Sequence, residues 1–135
     1  MTLVDTNVVL DVLASEPVWL DWAAGRLAQC RERGPLLINE IIYAELSVWL
    51  DPEADLQRVL ASLGIQMERS PIPALHAAAR AFRRYRAAGG PRTNLLPDFF
   101  IGAHAEVLEC AILTRDPRRF RAYFSSVLLI TPENP

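Results

Sequence analysis

"LVDTNVVLDVLA", residues 3–14, is the stretch on which the fold turns. Leu3 and Val4 belong to a short apolar run that reads as a buried strand over residues 2–5, and the run stops on a carboxylate, Asp5. A helix is expected from about Asn7 to Ala14. A buried strand that ends on an acid has two readings. Asp, Thr and Asn all suit a helix N-cap, so "DTN" is explained by the turn into the helix. Alternatively, Asp5 is one ligand of a site whose other members lie far downstream.

Working outward, apolar runs of strand length recur between helical stretches. A helix is expected to restart at Ser15-Glu16-Pro17 and to reach about Arg33, where Gly34-Pro35 stops it. "LLI" at 36–38 is a second strand, Asn39 caps a helix running to Leu50, and Asp51-Pro52 starts another that ends near Leu63 before Gly64. "IQMER" at 65–69 is a third strand and a helix follows from about Pro73 to Ala88. A helix from Asp98 to about Glu109, strand "AILT" at 111–114, a short helix after Asp116-Pro117 and strand "VLLI" at 127–130 complete the pattern. Short apolar strands alternating with helices predict a three-layer α/β/α fold around a parallel sheet of four to five short strands, in one domain over residues 1–135.

Composition narrows the function. The chain has 135 residues, 51% of them apolar, enough for a substantial core. No apolar run is long enough to cross a membrane and no basic region precedes one at the N-terminus, so a cytoplasmic location is expected. Cys30 and Cys110 are far apart and read as buried thiols. All 14 basic residues are arginine. The missing lysine excludes a P-loop lysine, a Schiff base and a lysine-dependent phosphoacceptor site.

In a parallel sheet, ligands bind beyond the carboxyl ends of the strands. Asp5 ends the first strand and Asp116 lies just past the fourth, so both fall at one sheet edge if those strands are neighbours. Glu45, i+4 from Ile41 and i−4 from Trp49, borders an apolar helix face made with Ile42 and Leu46. An ionised carboxylate there is costly unless paired or metal-bound, although an edge-of-core glutamate is also common. Asp98 opens a strongly apolar helix, where it is either an N-cap or a fourth member of the set. Carboxylates crowded in one cleft repel unless a cation lies among them. Oxygen donors without His or Cys select a hard ion, Mg²⁺ or Mn²⁺, which supplies a nucleophilic water and stabilises charge on phosphate oxygens.

"VDTNVVLDVL", "INEIIYAEL" and "LPDFFIGAHAEVLECAILTRDPRRF" together resemble the PIN-domain ribonucleases, and among them the toxins of VapBC-type toxin–antitoxin pairs. The resemblance runs along nearly the whole chain. It implies an endoribonuclease that uses Mg²⁺, with Mn²⁺ as substitute, and leaves a 3′-hydroxyl and a 5′-phosphate. The family's acidic site falls on Asp5, Glu45, Asp98 and Asp116, its threonine-x-aspartate signature on Thr114, and the polar position that orients the first aspartate on Asn7. It also implies a homodimer and a small antitoxin that blocks the cleft with a basic side chain and binds operator DNA. One departure is visible: where many relatives carry an acid before the last phenylalanine, this chain has Arg119-Phe120.

Other features carry less. Asp11 is expected to be solvated, His76 and His104 to be packed or on the surface, and Trp19 and Trp22 to serve packing or an interface. On helix 73–88, Leu75, Ala78, Phe82 and Tyr85 share one face, and Arg80, Arg83 and Arg84 cluster opposite, with Arg86 and Arg92 nearby. That cluster is either a solvated face or, with Arg92 of the following loop, a basic rim that feeds RNA toward the acids. Two other functions stay open: a PIN-like module that binds RNA or a partner without cutting, and another acid-rich α/β phosphohydrolase. A haloacid-dehalogenase-type site fits poorly, because it needs a second Asp where Asn7 stands, and a lysine.

Overall fold

The computed structural model describes residues 1–132. Its elements are β1 (Thr2–Val4), α1 (Thr6–Leu13), α2 (Leu20–Arg33), β2 (Leu36–Ile38), α3 (Glu40–Ser47), α4 (Glu53–Leu63), β3 (Ile65–Met67), α5 (Ile72–Ala87), α6 (Pro97–Leu108), β4 (Ala111–Leu113), α7 (Arg118–Tyr123) and β5 (Leu129–Ile130). The five strands form one parallel sheet in the order β3-β2-β1-β4-β5, within a three-layer α/β/α arrangement as expected. β1 and β2 are buried along their whole length, which is why they read as uninterrupted apolar runs. No helix among the described residues is long and apolar enough to cross a membrane.

Strand order places the site. The chain lays β2 and β3 to one side of β1, then returns to place β4 and β5 on the other. The order reverses between β1 and β4, and the crevice beyond their carboxyl ends is where such sheets bind ligands. In register, Leu3 pairs with Ile112 and Val4 with Leu113, so Asp5 and Thr114 leave the sheet side by side. The Asp5 amide extends the ladder by donating to the Leu113 carbonyl at 3.0 Å.

Several boundaries differ from expectation for local reasons. α2 begins at Leu20 rather than near Ser15, because the Glu16 carboxylate accepts from the amides of Val18 and Trp19, both at 2.9 Å, and holds a turn there instead. α3 ends at Ser47, three residues before Leu50, so Trp49 lies outside the helix, is 70% exposed and is not part of its buried face. On α5 the buried residues are Ala74, Ala77, Ala78, Ala81 and Tyr85, while Leu75 is turned to solvent. β3 stops at Met67 and β5 covers only Leu129–Ile130.

α6 packs on α5, α3 and α7. Gly102 in its middle makes room for Phe124, since a Cβ there would lie 2.2 Å from that ring. Phe124 in turn meets Phe99, which also packs edge-on against Phe82, Tyr85 and Tyr123. His104, also on α6, is fully buried, and burial pushes its pKa down, which favours the neutral ring. Its Nδ1 lies 3.3 Å from the Asn39 amide, whose Oδ1 caps α3 by accepting from the Ile42 N–H at 3.0 Å. His104 thus ties α6, which carries Asp98, to the start of α3, which carries Glu45. Cys30 and Cys110 are buried and free, as expected.

Candidate active site

Asp5 is both a cap and a member of the acidic cluster. One carboxylate oxygen accepts from the Thr6 amide at 2.8 Å, the other from the Thr114 hydroxyl at 2.8 Å and the Asn7 side chain at 3.3 Å. Despite these bonds its pKa is pushed up to about 7, chiefly by burial and further by the charges of Asp98 and Glu45. Thr114 also orients the β4–α7 turn, its hydroxyl oxygen accepting from the Asp116 amide at 3.1 Å. Asn7 spans the two segments: its Oδ1 accepts from the Arg115 amide at 3.2 Å. The threonine of "TRD" and the asparagine of "DTN" therefore brace the same carboxylate.

Glu45 reaches the crevice from α3, where its Oε1 accepts from the Thr6 hydroxyl at 2.8 Å. Burial raises its pKa and Asp98 raises it further. Asp98 comes from the first turn of α6. It is not the cap: Leu96 takes that position and Pro97 begins the helix, so the N-cap explanation of Asp98 fails. Burial raises the Asp98 pKa, the Arg119 guanidinium opposes this, and Asp116 adds to it. Mutual charge effects thus connect Glu45, Asp5, Asp98 and Asp116 in a single electrostatic set.

The outer two acids are held differently. Asp116 is exposed and lies in a fork with Arg118, at 3.0 and 3.3 Å, which lowers its pKa. Asp98 accepts from Arg119 at 3.0 Å. Tyr85, Asp98, Asp116, Arg118, Arg119 and Tyr123 line a cleft of about 410 Å³. Among the described residues, no three acidic, imidazole or thiol groups close into a finished ion cage. The donor set nevertheless fits a hard cation. All four groups are carboxylates, and the innermost resists ionisation because it is buried and faces two further acids.

Asp11 corrects a sequence expectation. It is buried, not solvated, with its side chain 5% exposed, and it takes both forks of Arg115 at 2.7 and 2.9 Å. Arg115 also stacks over Trp19, 5.1 Å from the ring centre, and Trp19 meets Trp22 edge-on. The tryptophan pair is therefore packing that anchors Arg115. The helical position of Asp11 carried no signal of a partner 104 residues away. Thr6, Arg115, Tyr85 and Tyr123 were likewise missed as neighbours of the site. Arg119 was visible only as the departure from its relatives' acid.

The four arginines proposed from sequence have different neighbours. Arg80 lies against His76 at 3.3 Å, and Arg84 donates to the Tyr123 carbonyl at 3.1 Å beside the cleft. Arg86 donates to the carbonyls of Gly90 and Arg92, folding the loop back on α5. Arg80, Arg83, Arg84 and Arg92 are all exposed.

A parallel sheet with carboxylates over its switch-point crevice defines an α/β domain with an acidic, oxygen-donor site. The PIN domain family model matches residues 2–124, and the chain belongs to that family, whose members are generally nucleases. No curated protein sequence matches significantly. Solved structures share the fold. VapBC2 from Rickettsia felis, bound to a promoter DNA fragment, superimposes with a TM-score of 0.74 at 15% identity, covering 96% of this chain and 97% of that one. VapBC from Salmonella typhimurium, bound to DNA, gives 0.71 at 18% identity over 96% of each chain. FitAcB from Neisseria gonorrhoeae gives 0.69 at 22% identity over the full length of both.

Proposed function

We propose that the protein is an Mg²⁺- or Mn²⁺-dependent endoribonuclease, the toxin of a toxin–antitoxin pair, with Asp5, Glu45, Asp98 and Asp116 holding the metal. The observation that carries this reading is Asp5: a buried carboxylate at the switch point, braced by three side- and main-chain donors, yet raised to about 7 with two further acids acting on it. Such a group favours a cation nearby. When bound, a divalent ion supplies an activated water and neutralises charge on the phosphate.

The chain's own residues do the remaining work. Thr114 and Asn7 fix the orientation of Asp5, Thr6 fixes Glu45, and the α6 start presents Asp98. Arg84, beside the cleft, with Arg80, Arg83 and Arg92 farther along the same surface, forms a rim for the RNA backbone. The partner is a small antitoxin that closes the cleft with a basic side chain and carries operator-DNA binding, and the toxin acts as a homodimer in the cytoplasm. Structural likeness to toxin–antitoxin complexes bound to DNA supports the partner.

The experiment is thermal unfolding with and without Mn²⁺, beside RNA cleavage. Wild type is expected to gain melting temperature with Mn²⁺, because binding to the native state stabilises it. Asp5→Asn keeps the cap but loses ligand charge; it is expected to show little Mn²⁺ shift and cleavage lower by orders of magnitude. Equal Mn²⁺ shifts in the two proteins would leave Asp5 as a cap alone.

A further inference from the structure

We infer that Arg119 is an exchangeable cation of the site: it neutralises Asp98 while the metal is away, and when metal takes Asp98 its guanidinium becomes the ligand for a substrate phosphate. The inference rests on the metal-dependent nuclease reading above and adds a substrate-binding residue to it. Arg119 makes a single hydrogen bond to Asp98, Nη1 to Oδ2 at 3.0 Å, and both side chains are 36% exposed. A guanidinium has five N–H donors. No other hydrogen bond of the Arg119 side chain occurs among the described residues, so four of its donors remain for a ligand.

The group is nevertheless placed. Its central carbon lies 5.7 Å from the Tyr85 ring centre and 5.9 Å from that of Phe99, contacts that survive if the hydrogen bond to Asp98 is exchanged. Those rings belong to the packed cluster of α5, α6 and α7. Arg119 also lines the cleft of about 410 Å³ shared by Asp98, Asp116 and Arg118. The neighbouring Arg118 lacks this design. Both arms of its fork face Asp116, and it is 87% exposed. A monodentate, ring-supported arginine against a half-exposed carboxylate is suited to trade one anion for another, and the anion at hand in a nuclease is a phosphate.

The test uses the full chain as wild type, Arg119→Gln and Arg119→Lys. Mn²⁺ binding is measured by titration calorimetry without RNA. Binding of a short single-stranded RNA is measured by fluorescence anisotropy, in EDTA and in Ca²⁺. Arg119→Gln is expected to bind Mn²⁺ several-fold more tightly, having lost the competing cation, and in Ca²⁺ to bind RNA about tenfold more weakly, having lost one charge-assisted phosphate contact. In EDTA, where Asp98 occupies the guanidinium, the two proteins are expected to bind RNA alike. Arg119→Lys keeps the charge but not the planar fork, so its Mn²⁺ affinity is expected near wild type and its RNA affinity below it. Tighter Mn²⁺ binding with unchanged RNA affinity in Ca²⁺ overturns the exchange and leaves Arg119 a counter-ion. Unchanged Mn²⁺ affinity overturns the competition. No Mn²⁺ binding by any of the three proteins overturns the metal site itself, and this inference with it.

Discussion

The two walls of one cleft are built on different principles. The inner wall is Asp5 with Thr6, Asn7 and Thr114, backed by the Asp11–Arg115 pair. Its partners come from the chain itself, and Arg115 spends its fork on a buried aspartate while stacking on Trp19. The outer wall is Asp98 and Asp116, each answered by an arginine in contact with solvent. Arg115 and Arg119 lie four positions apart in sequence, and each hydrogen-bonds one aspartate and lies over an aromatic surface. The first is gripped by both oxygens of a buried carboxylate, the second by one hydrogen bond to a partly exposed one. An arginine held by two hydrogen bonds in a buried pair fixes architecture, whereas one held by a single bond is available for a ligand.

The largest expected effect tests whether electrostatic stress is stored in the inner wall. Asp5 in the folded protein titrates at about 7 against an ordinary 3.8. Between about pH 4 and pH 7 the native state therefore holds a proton that the unfolded chain has released, so stability falls as pH rises, and the full loss is present above about 7. Three units correspond to at most about 4 kcal/mol. Asp98 and Glu45, also raised, act in the same direction, while the stabilisation from Asp116, whose value is lowered, is lost as pH falls. Urea unfolding in EDTA at pH 5 and pH 8 is expected to show wild type weakening and Asp5→Asn much flatter. Parallel profiles would mean that the inner wall stores no such stress.

Next in size is Asp11→Ala, which strands Arg115 and loosens the β4–α7 turn. Allowing for the partial exposure of Arg115, the loss is about 2–3 kcal/mol in urea midpoint experiments. A loss below about 0.5 kcal/mol would erase the contrast with the exposed pairs. Asn7→Ala removes a bridge between "DTN" and "TRD" and is expected to cost about 1 kcal/mol. Arg118→Gln is the smallest: no measurable change in melting temperature is expected, since its pair with Asp116 lies in solvent.

The sheet was legible because β1, β2 and β4 are short runs buried on both faces, which leaves little choice of element. Asp5, Asp98 and Asp116 stood out because each lies beside an apolar run at a strand end or a helix start, and Glu45 because it borders the apolar face of α3. Helix ends were read less well where a side chain far from the usual cap position took over, as Glu16 does before α2. Asp11 was misread because helical position alone does not report a partner arriving from β4. Trp49 was misread because α3 ends a turn earlier than its apolar spacing suggests. Arg119 could be noticed as an oddity, but its rings lie on other helices, and no local pattern joins them.

The order of strands also governs when the site can come into being. β1 is made first, yet one of its two neighbours is β4, and the hydroxyl that braces Asp5 lies 109 positions later. A chain that extends only through β3 contains Asp5 and Glu45 but not Asp98, Thr114 or Asp116. Acidic partners from both sides of the switch point meet only once the chain past β4 has emerged, a late and non-local closure. A growing chain of this protein therefore carries no complete acidic cluster until the segment through Asp116 has been made.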